Sequence, residues 1–347
     1  MIYKEKYWKQ IDQVIECIPD CRELFGSSFF ITGASGLICS AVIDALLRMN
    51  DRFKAQIRIY AGGRDEDSFK ERFSSVCDRD DLRFVFYDAN DEKDIEIKAD
   101  YIIHGAGNSH PAVFGREPVE TMLANFNGLN VLLRSALKNE KLKRLLYISS
   151  SEVYGKKKDN EPYKEEDYGY VDINNIRAAY PSAKRAAETL CIAYHEEYGI
   201  DSLIVRPGHI YGPTISRKDS RASAVFSRAA KKGETISMKG AGLQLRSYMY
   251  VMDCASAILT VLIKGKSEEA YNLSNPFSIV SIREMAESFA RAGDVQISFE
   301  DPTDKEKKTY NLMENSALDS RKLESLGWRP CFDMDEGARS TLEFLEL

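Results

Sequence analysis

The chain has no C-x-x-C pair, no H-x-x-x-H pair and no apolar run of membrane-spanning length, and each absence closes a class of function. Seven cysteines (Cys17, Cys21, Cys39, Cys77, Cys191, Cys254, Cys331) are odd in number, and several have apolar neighbours. They read as reduced core thiols of a cytoplasmic protein rather than a disulfide framework. The first residues, Met1 to Trp8, are too charged for a signal peptide, and no membrane contact is expected. His104, His110, His195 and His209 are scattered, so no metal site is expected. A formal net charge of −6 lacks the basic footprint of a nucleic-acid binder, although a local basic cleft for an anionic ligand remains compatible with it. Internal repeats and low-complexity segments are missing as well. What is present, 347 residues of which 44% are hydrophobic, suffices for one large α/β domain with a smaller lobe.

Three stretches carry the chemistry. The run Phe29-Phe30-Ile31-Thr32 breaks into Gly33-Ala34-Ser35-Gly36 and resumes as Leu37-Ile38-Cys39 and a further apolar helix pattern. A strand, a glycine turn and a helix N-terminus in that order make a cradle for a phosphate, because the glycines admit close approach and the helix start offers unpaired N–H groups. Such a turn also arises where glycine is needed only for its backbone angles. The second stretch, Tyr180-Pro181-Ser182-Ala183-Lys184, puts a phenol and an ammonium on one helical face. A lysine held near such a tyrosine and a nicotinamide ribose lowers the phenol's pKa, so that Tyr180 serves as acid or base near neutral pH. The third, Ser149-Ser150-Ser151-Glu152-Val153-Tyr154-Gly155, ends an apolar strand and places Ser150 for a hydrogen bond to the same substrate oxygen. A Tyr/Lys pair alone is common on amphipathic surface helices; its coincidence with the other two stretches argues for a site.

In chain order, residues 3–24 show helical periodicity, followed by strands at Phe29–Thr32, Gln56–Tyr60, Leu82–Asp88, Ala99–His104, Leu145–Ile148 and Ser202–Arg206. Strands alternating with helices give right-handed parallel crossovers, hence an α/β, doubly wound parallel sheet with ligands at the strand C-terminal ends. A charged loop, Lys156 to Asp172, reads as a fold over the substrate or as a solvated turn, its charge favouring the latter. After residue 207 the order becomes irregular and cationic, with Arg217, Arg221, Arg228, Lys231, Lys232 and Lys239. Most of these suit solvated helix faces, and one or two suit a diphosphate. The expected division is an N-terminal helical extension (1–26), a Rossmann-type dinucleotide domain (27–207) and mainly a substrate-binding α/β lobe (208–347).

These motifs, with Asp88-Ala89, His104-Gly105-Ala106-Gly107, Asn125-Phe126-Asn127-Gly128, Arg206-Pro207-Gly208-His209-Ile210-Tyr211-Gly212-Pro213, Arg246-Ser247-Tyr248 and Leu326-Gly327-Trp328, resemble the extended short-chain dehydrogenase/reductases that modify nucleotide sugars. The resemblance runs from Phe29 to about Leu345. It implies a cofactor site of Gly33, Ser35, Gly36, Leu37, Ile38, Arg64, Asp88, Ala89, Gly105, Ala106, Gly107, Asn125, Pro207, Tyr180 and Lys184, with Asn125 beginning a long helix. It further implies catalytic Ser150, Glu152, Tyr180 and Lys184, and substrate contacts from Ser151, His209, Arg217 and Arg246. Cys39 stands where a third glycine is usual, and His209 where asparagine is usual. The second strand exits through Gly62-Gly63-Arg64-Asp65; Arg64 suits a 2′-phosphate and NADP, Asp65 or Asp67 a ribose hydroxyl. The family's chemistry favours NAD.

That chemistry is oxidation of the sugar 4-position, after which the 4-keto intermediate is returned as an epimer, dehydrated or decarboxylated. Dehydratases of this group carry Asp-Glu after the serine, and this chain has Ser151-Glu152. The Ser-Glu pair before Val-Tyr-Gly most resembles UDP-glucuronate decarboxylases, the leading expectation. A UDP-sugar 4-epimerase, a 4,6-dehydratase or an NADP-dependent ketoreductase, and a non-catalytic NAD(P) sensor, are the alternatives. The resemblance also implies a homodimer acting on a nucleotide-diphosphate sugar.

Overall fold

The computed structural model describes residues 2–96, 98–107, 109, 111–301 and 313–347. Its first half is built from strands β1 (Ser28–Thr32), β2 (Arg58–Gly63), β3 (Leu82–Phe86), β4 (Tyr101–His104), β5 (Arg144–Ile148) and β6 (Ser202–Pro207), alternating with helices α1 (Glu5–Glu16), α2 (Leu37–Phe53), α3 (Glu66–Arg72), α4 (Pro111–Arg116), α5 (Pro118–Ala136) and α6 (Ala179–Tyr198). The second half adds β7 (His209–Tyr211), α7 (Ala222–Lys232), β8 (Ile236–Lys239), β9 (Leu245–Tyr250), α8 (Val251–Lys264), β10 (Ala270–Leu273), β11 (Ile279–Ser281), α9 (Ile282–Gly293), β12 (Ile297–Glu300), β13 (Asn315–Ser316), α10 (Arg321–Glu324) and α11 (Met334–Phe344).

Seven strands pair in the order β10-β6-β5-β4-β1-β2-β3, all parallel. The continuous apolar runs of the central strands follow from that arrangement, since helices cover both faces: Phe29, Ile31, Ile102, Ile103, Leu145 and Leu146 are buried. β9 pairs with β7, β11 and β13 in a smaller mixed sheet, and β8 pairs with β12.

Several expected boundaries move. The periodic segment 3–24 is not one helix: α1 stops at Glu16, and Asp20, in the left-handed region at φ 53°, follows Pro19 before a short 3-10 turn at Cys21–Leu24. Proline cannot donate to a continuing helix. Asn125 does not begin its helix. Pro118, whose ring presets φ for a first turn, does so, and Asn125 sits buried mid-helix. The second strand runs on through Gly62 and Gly63, where a Cβ on Gly62 would meet the Phe30 ring at 3.1 Å. Residue 207 is not a clean boundary either, because β10 returns to the main sheet beside β6. The 156–172 loop does not line the main cleft, and most of its charged side chains are solvated, as expected, although its backbone is pinned at both ends and at Tyr163. Lys156 bridges Tyr170, and the buried Tyr163 takes the Ala317 carbonyl at 2.8 Å and stacks on Tyr154.

Residues 2–16 are tied down by a buried polar cluster on α2. Asp44 accepts from Tyr3 at 2.8 Å and Tyr7 at 2.6 Å and pairs with Arg72 of α3. No helix among the described residues is long and apolar enough to cross a membrane.

Candidate active site

The C-terminal ends of β1, β2, β4, β5 and β6 open onto one cleft of about 1130 Å³, closed on its far side by β7, α7 and β9. Gly33, at φ +70°, turns the chain out of β1; a Cβ there would lie 2.8 Å from the Gly105 carbonyl and 2.9 Å from Ala106 N. α2 then begins at Leu37 with Gly36 as its cap, which has no side chain to occupy the first amide groups. Those N–H groups and the positive end of the helix therefore face the cleft. Gly105 packs on Cys39 so closely that a Cβ would strike the sulfur, so the cysteine in place of a third glycine requires a glycine opposite it at 105.

Buried polar atoms without partners line the same space: Asn125 Oδ1, His209 Nδ1 and Thr214 Oγ1. An unpaired buried acceptor is costly, so these atoms point to a polar ligand. Together with the glycine cradle, the two sets fit a dinucleotide lying across β1 and β4 and a second polar ligand under the lobe. Asp65 N-caps α3, accepting from Asp67 N at 3.0 Å, and lines the cleft beside the exposed Arg64.

The neighbouring Ser150 side chain pulls the Tyr180 phenol down, but burial outweighs it and pushes the phenol up to about 12. Lys184 Nζ donates to the Ile148 carbonyl at 2.8 Å, lies 5.8 Å from the Tyr180 ring centroid, and is pulled down by burial to about 7. The ammonium thus bonds the backbone of β5, and both groups are desolvated. Behind them Ser149 Oγ donates to Glu188 at 2.5 Å, and Arg206 holds the same carboxylate at 2.7 Å, a buried pair that fixes the serine run. Burial also holds His104 and His209 neutral, near 3.

Of the expected site residues, Ser150, Ser151, Glu152, Tyr180, Lys184, Gly33, Ser35, Gly36, Leu37, Ile38, Arg64, Asp88, Ala89, Gly105, Ala106, Gly107, Asn125, Pro207, His209 and Arg246 all line this cleft. Arg217 does not. It is exposed on the approach to α7, whereas Arg221, paired with Asp219 at 2.6 Å, lines the cleft.

The model of the NAD dependent epimerase/dehydratase family matches residues 29–274. The chain belongs to that family. It is similar to UDP-glucuronic acid decarboxylase 1 of Xenopus tropicalis, with 29% identity over 319 residues, 90% of this chain and 71% of that protein. It is also similar to the dTDP-D-glucose 4,6-dehydratase of Homo sapiens, with 26% identity over 92% of this chain and 90% of that one. Among solved structures, the UDP-glucose 4-epimerase of Thermotoga maritima superposes with a TM-score of 0.78 at 23% identity, covering 91% of this chain and 98% of that one. These relatives are enzymes of three different reactions on one fold.

Sequence reasoning missed one residue of this cleft. Arg177, in the 3-10 turn Ile176–Ala178 that runs into α6, pairs with Glu152 at 3.2 Å inside the cleft. Its guanidinium lies 5.8 Å from the Phe114 ring, which stacks on Tyr180 at 5.0 Å and 8°. The spacing Arg177-Ala178-Ala179-Tyr180, one helical turn, was the available signal.

Proposed function

We propose that this protein is a nucleotide-sugar enzyme that oxidises the sugar 4-position transiently with bound NAD and decarboxylates UDP-glucuronate to a UDP-pentose. The observation that carries the reading is the setting of Glu152. It sits against Arg177 and is influenced by Arg246, next to Ser150 and Tyr180, and Ser151 replaces the acid that a dehydratase would use for water loss. The similarity to UDP-glucuronic acid decarboxylases across 90% of the chain supports it.

The turn Gly33–Ile38 and the α2 N-terminus would hold the pyrophosphate of NAD, Asp88 and Ala89 the adenosine side, and Gly105–Gly107 with Asn125 and Pro207 the nicotinamide side. Bound there, NAD supplies a hydride acceptor for the sugar 4-position and returns the same hydride. As a phenolate, with Lys184 holding its pKa down once the nicotinamide ribose lies beside the pair, Tyr180 Oη would take the 4-hydroxyl proton and give it back, and Ser150 would share the substrate oxygen. Once C4 is a ketone, the C6 carboxylate is β to it. The C5–C6 bond then breaks with loss of carbon dioxide, its electron pair passes to the C4–C5 enolate, and a proton closes C5. Burial raises the Glu152 carboxyl, which suits it to hold that proton. Arg246 is buried on β9, hydrogen-bonded to the Leu245 carbonyl at 2.7 Å, and faces the cleft, where a planar fork suits a carboxylate or diphosphate. His209 and Ser151 would complete the sugar-nucleotide contacts. We place the protein in the cytoplasm as a homodimer through α5 and α6, supported by free cysteines and by exposed Val119, Met122 and Leu123 on α5.

The test is incubation of the purified protein with UDP-glucuronate, UDP-glucose and UDP-galactose, followed by mass spectrometry and proton NMR. Loss of carbon dioxide from UDP-glucuronate is expected. An unchanged mass with inverted C4 would replace the reading with an epimerase, loss of water with a dehydratase, and turnover only with added NADPH with a ketoreductase. Binding without turnover would leave a sensor.

A further inference from the structure

We propose that Arg177 is the positioning residue of Glu152, holding the carboxylate at the reaction face of Tyr180 and setting the pH at which it carries a proton. The proposal rests on the reading of Glu152 given above.

The geometry is built, not incidental. The Asn175 side chain caps the 3-10 turn by accepting from Arg177 N at 3.0 Å, and that turn continues without a break into α6. Arg177 and Tyr180 therefore belong to one rigid element, while Glu152 belongs to the turn after β5. The 3.2 Å ion pair closes the gap between the two elements. Phe114 of α4 backs the arrangement, with the Arg177 guanidinium 5.8 Å from its ring centroid and the Tyr180 ring stacked against it. A guanidinium needs such a flat, apolar support to stay oriented when its charge is directed at a partly buried acid.

The groups that face Glu152 are Arg177 from the turn before α6, Arg246 from β9 and Tyr180 from α6. Burial favours the neutral carboxyl, and the two guanidiniums oppose it without prevailing. Arg177 is the partner in direct contact. Removing its charge leaves Arg246 alone against desolvation, so the carboxyl titrates at still higher pH.

The experiment compares wild type, Arg177→Gln, Arg177→Lys, Glu152→Gln and the double variant Arg177→Gln/Glu152→Gln in two measurements. In the first, the pH profile of kcat/KM on UDP-glucuronate assigns to Glu152 the limb that disappears in Glu152→Gln. In Arg177→Gln that limb moves upward by about one pH unit or more, and Arg177→Lys restores most of the shift. A fall in kcat with the limb unmoved would make Arg177 merely structural and overturn the proposal. The second measurement needs no substrate: thermal unfolding midpoints across pH 5 to 9. Ionised, unpaired Glu152 costs stability only where it is charged, so the deficit of Arg177→Gln grows with pH, and in the Glu152→Gln background it becomes flat. Additive effects at every pH overturn the proposal whatever the enzyme's substrate. If wild type does not turn over UDP-glucuronate, the decarboxylase reading fails, and the unfolding cycle alone decides whether Arg177 positions Glu152.

Discussion

Lys184 Nζ donates a 2.8 Å hydrogen bond to the carbonyl oxygen of Ile148, the last residue of β5. The lysine therefore links α6 to the sheet edge that carries the serine run, and it does so as a buried cation, with its pKa pulled from the ordinary lysine range to about 7. The sign of the linkage follows. Unfolded lysine stays protonated to about pH 10, so the folded protein bears the full cost of a buried charge below pH 7 and loses that cost progressively above it. Lys184→Met is expected to raise stability by on the order of 2 kcal/mol at pH 6, with the gain shrinking toward pH 10. Thermal unfolding at four pH values reads this; a gain that does not change with pH would mean that the ammonium is not desolvated.

The Tyr180 phenol is pushed up to about 12 by burial, with the Ser150 side chain pulling the other way. Tyr180→Phe removes the proton carrier while keeping the ring stacked on Phe114. Turnover should fall by roughly 10²–10⁴-fold, with nucleotide affinity within a few-fold of wild type by calorimetry. Retained turnover would remove Tyr180 from the chemistry.

Gly33→Ala tests the cradle. The new Cβ would press on the Gly105 backbone at 2.8 Å, and the φ of +70° is poorly tolerated by alanine. A stability loss of about 1–3 kcal/mol is expected, with disappearance of the upward shift in Tm that saturating NAD gives the wild type. If NAD raises the midpoint of the variant by as much as the wild type's, the dinucleotide does not lie in this turn.

How much of this was legible in the sequence depends on range. The strand–turn–helix at Phe29–Leu47 and the Tyr180/Lys184 pair are local patterns, and period and glycine placement express them directly. Contacts between distant segments were not legible. Nothing near residue 270 announces a strand that returns to the main sheet beside β6, because four apolar or neutral residues fit several environments. Arg177 was overlooked because its meaning lies in Glu152, 25 positions earlier, and in Phe114. Arg217 was preferred to Arg221 because charge alone cannot say which arginine of a cationic run turns inward. The backbone bond of Lys184 was not legible for a related reason: spacing placed Tyr180 and Lys184 on one face, but only the fold reveals that the ammonium bonds the Ile148 carbonyl and that both groups are desolvated.

The N-terminal segment offers a prediction far from the cleft. Asp44 has no solvent exposure and faces Arg72, with Tyr3 and Tyr7 donating to its two oxygens. Removing the acid would leave the Arg72 guanidinium buried without its counter-charge, together with two phenol groups lacking acceptors. Breaking a buried pair from one side costs about 3–5 kcal/mol. Asp44→Ala is therefore expected to lower Tm by many degrees and to release residues 2–16 from α2, read as faster amide exchange across Glu5–Glu16. The catalytic residues lie on other elements, so the folded fraction should keep its turnover per active site. A variant with wild-type stability and protected α1 amides would show that the apolar contacts of Tyr7, Ile11, Val14 and Ile15 suffice without the acid.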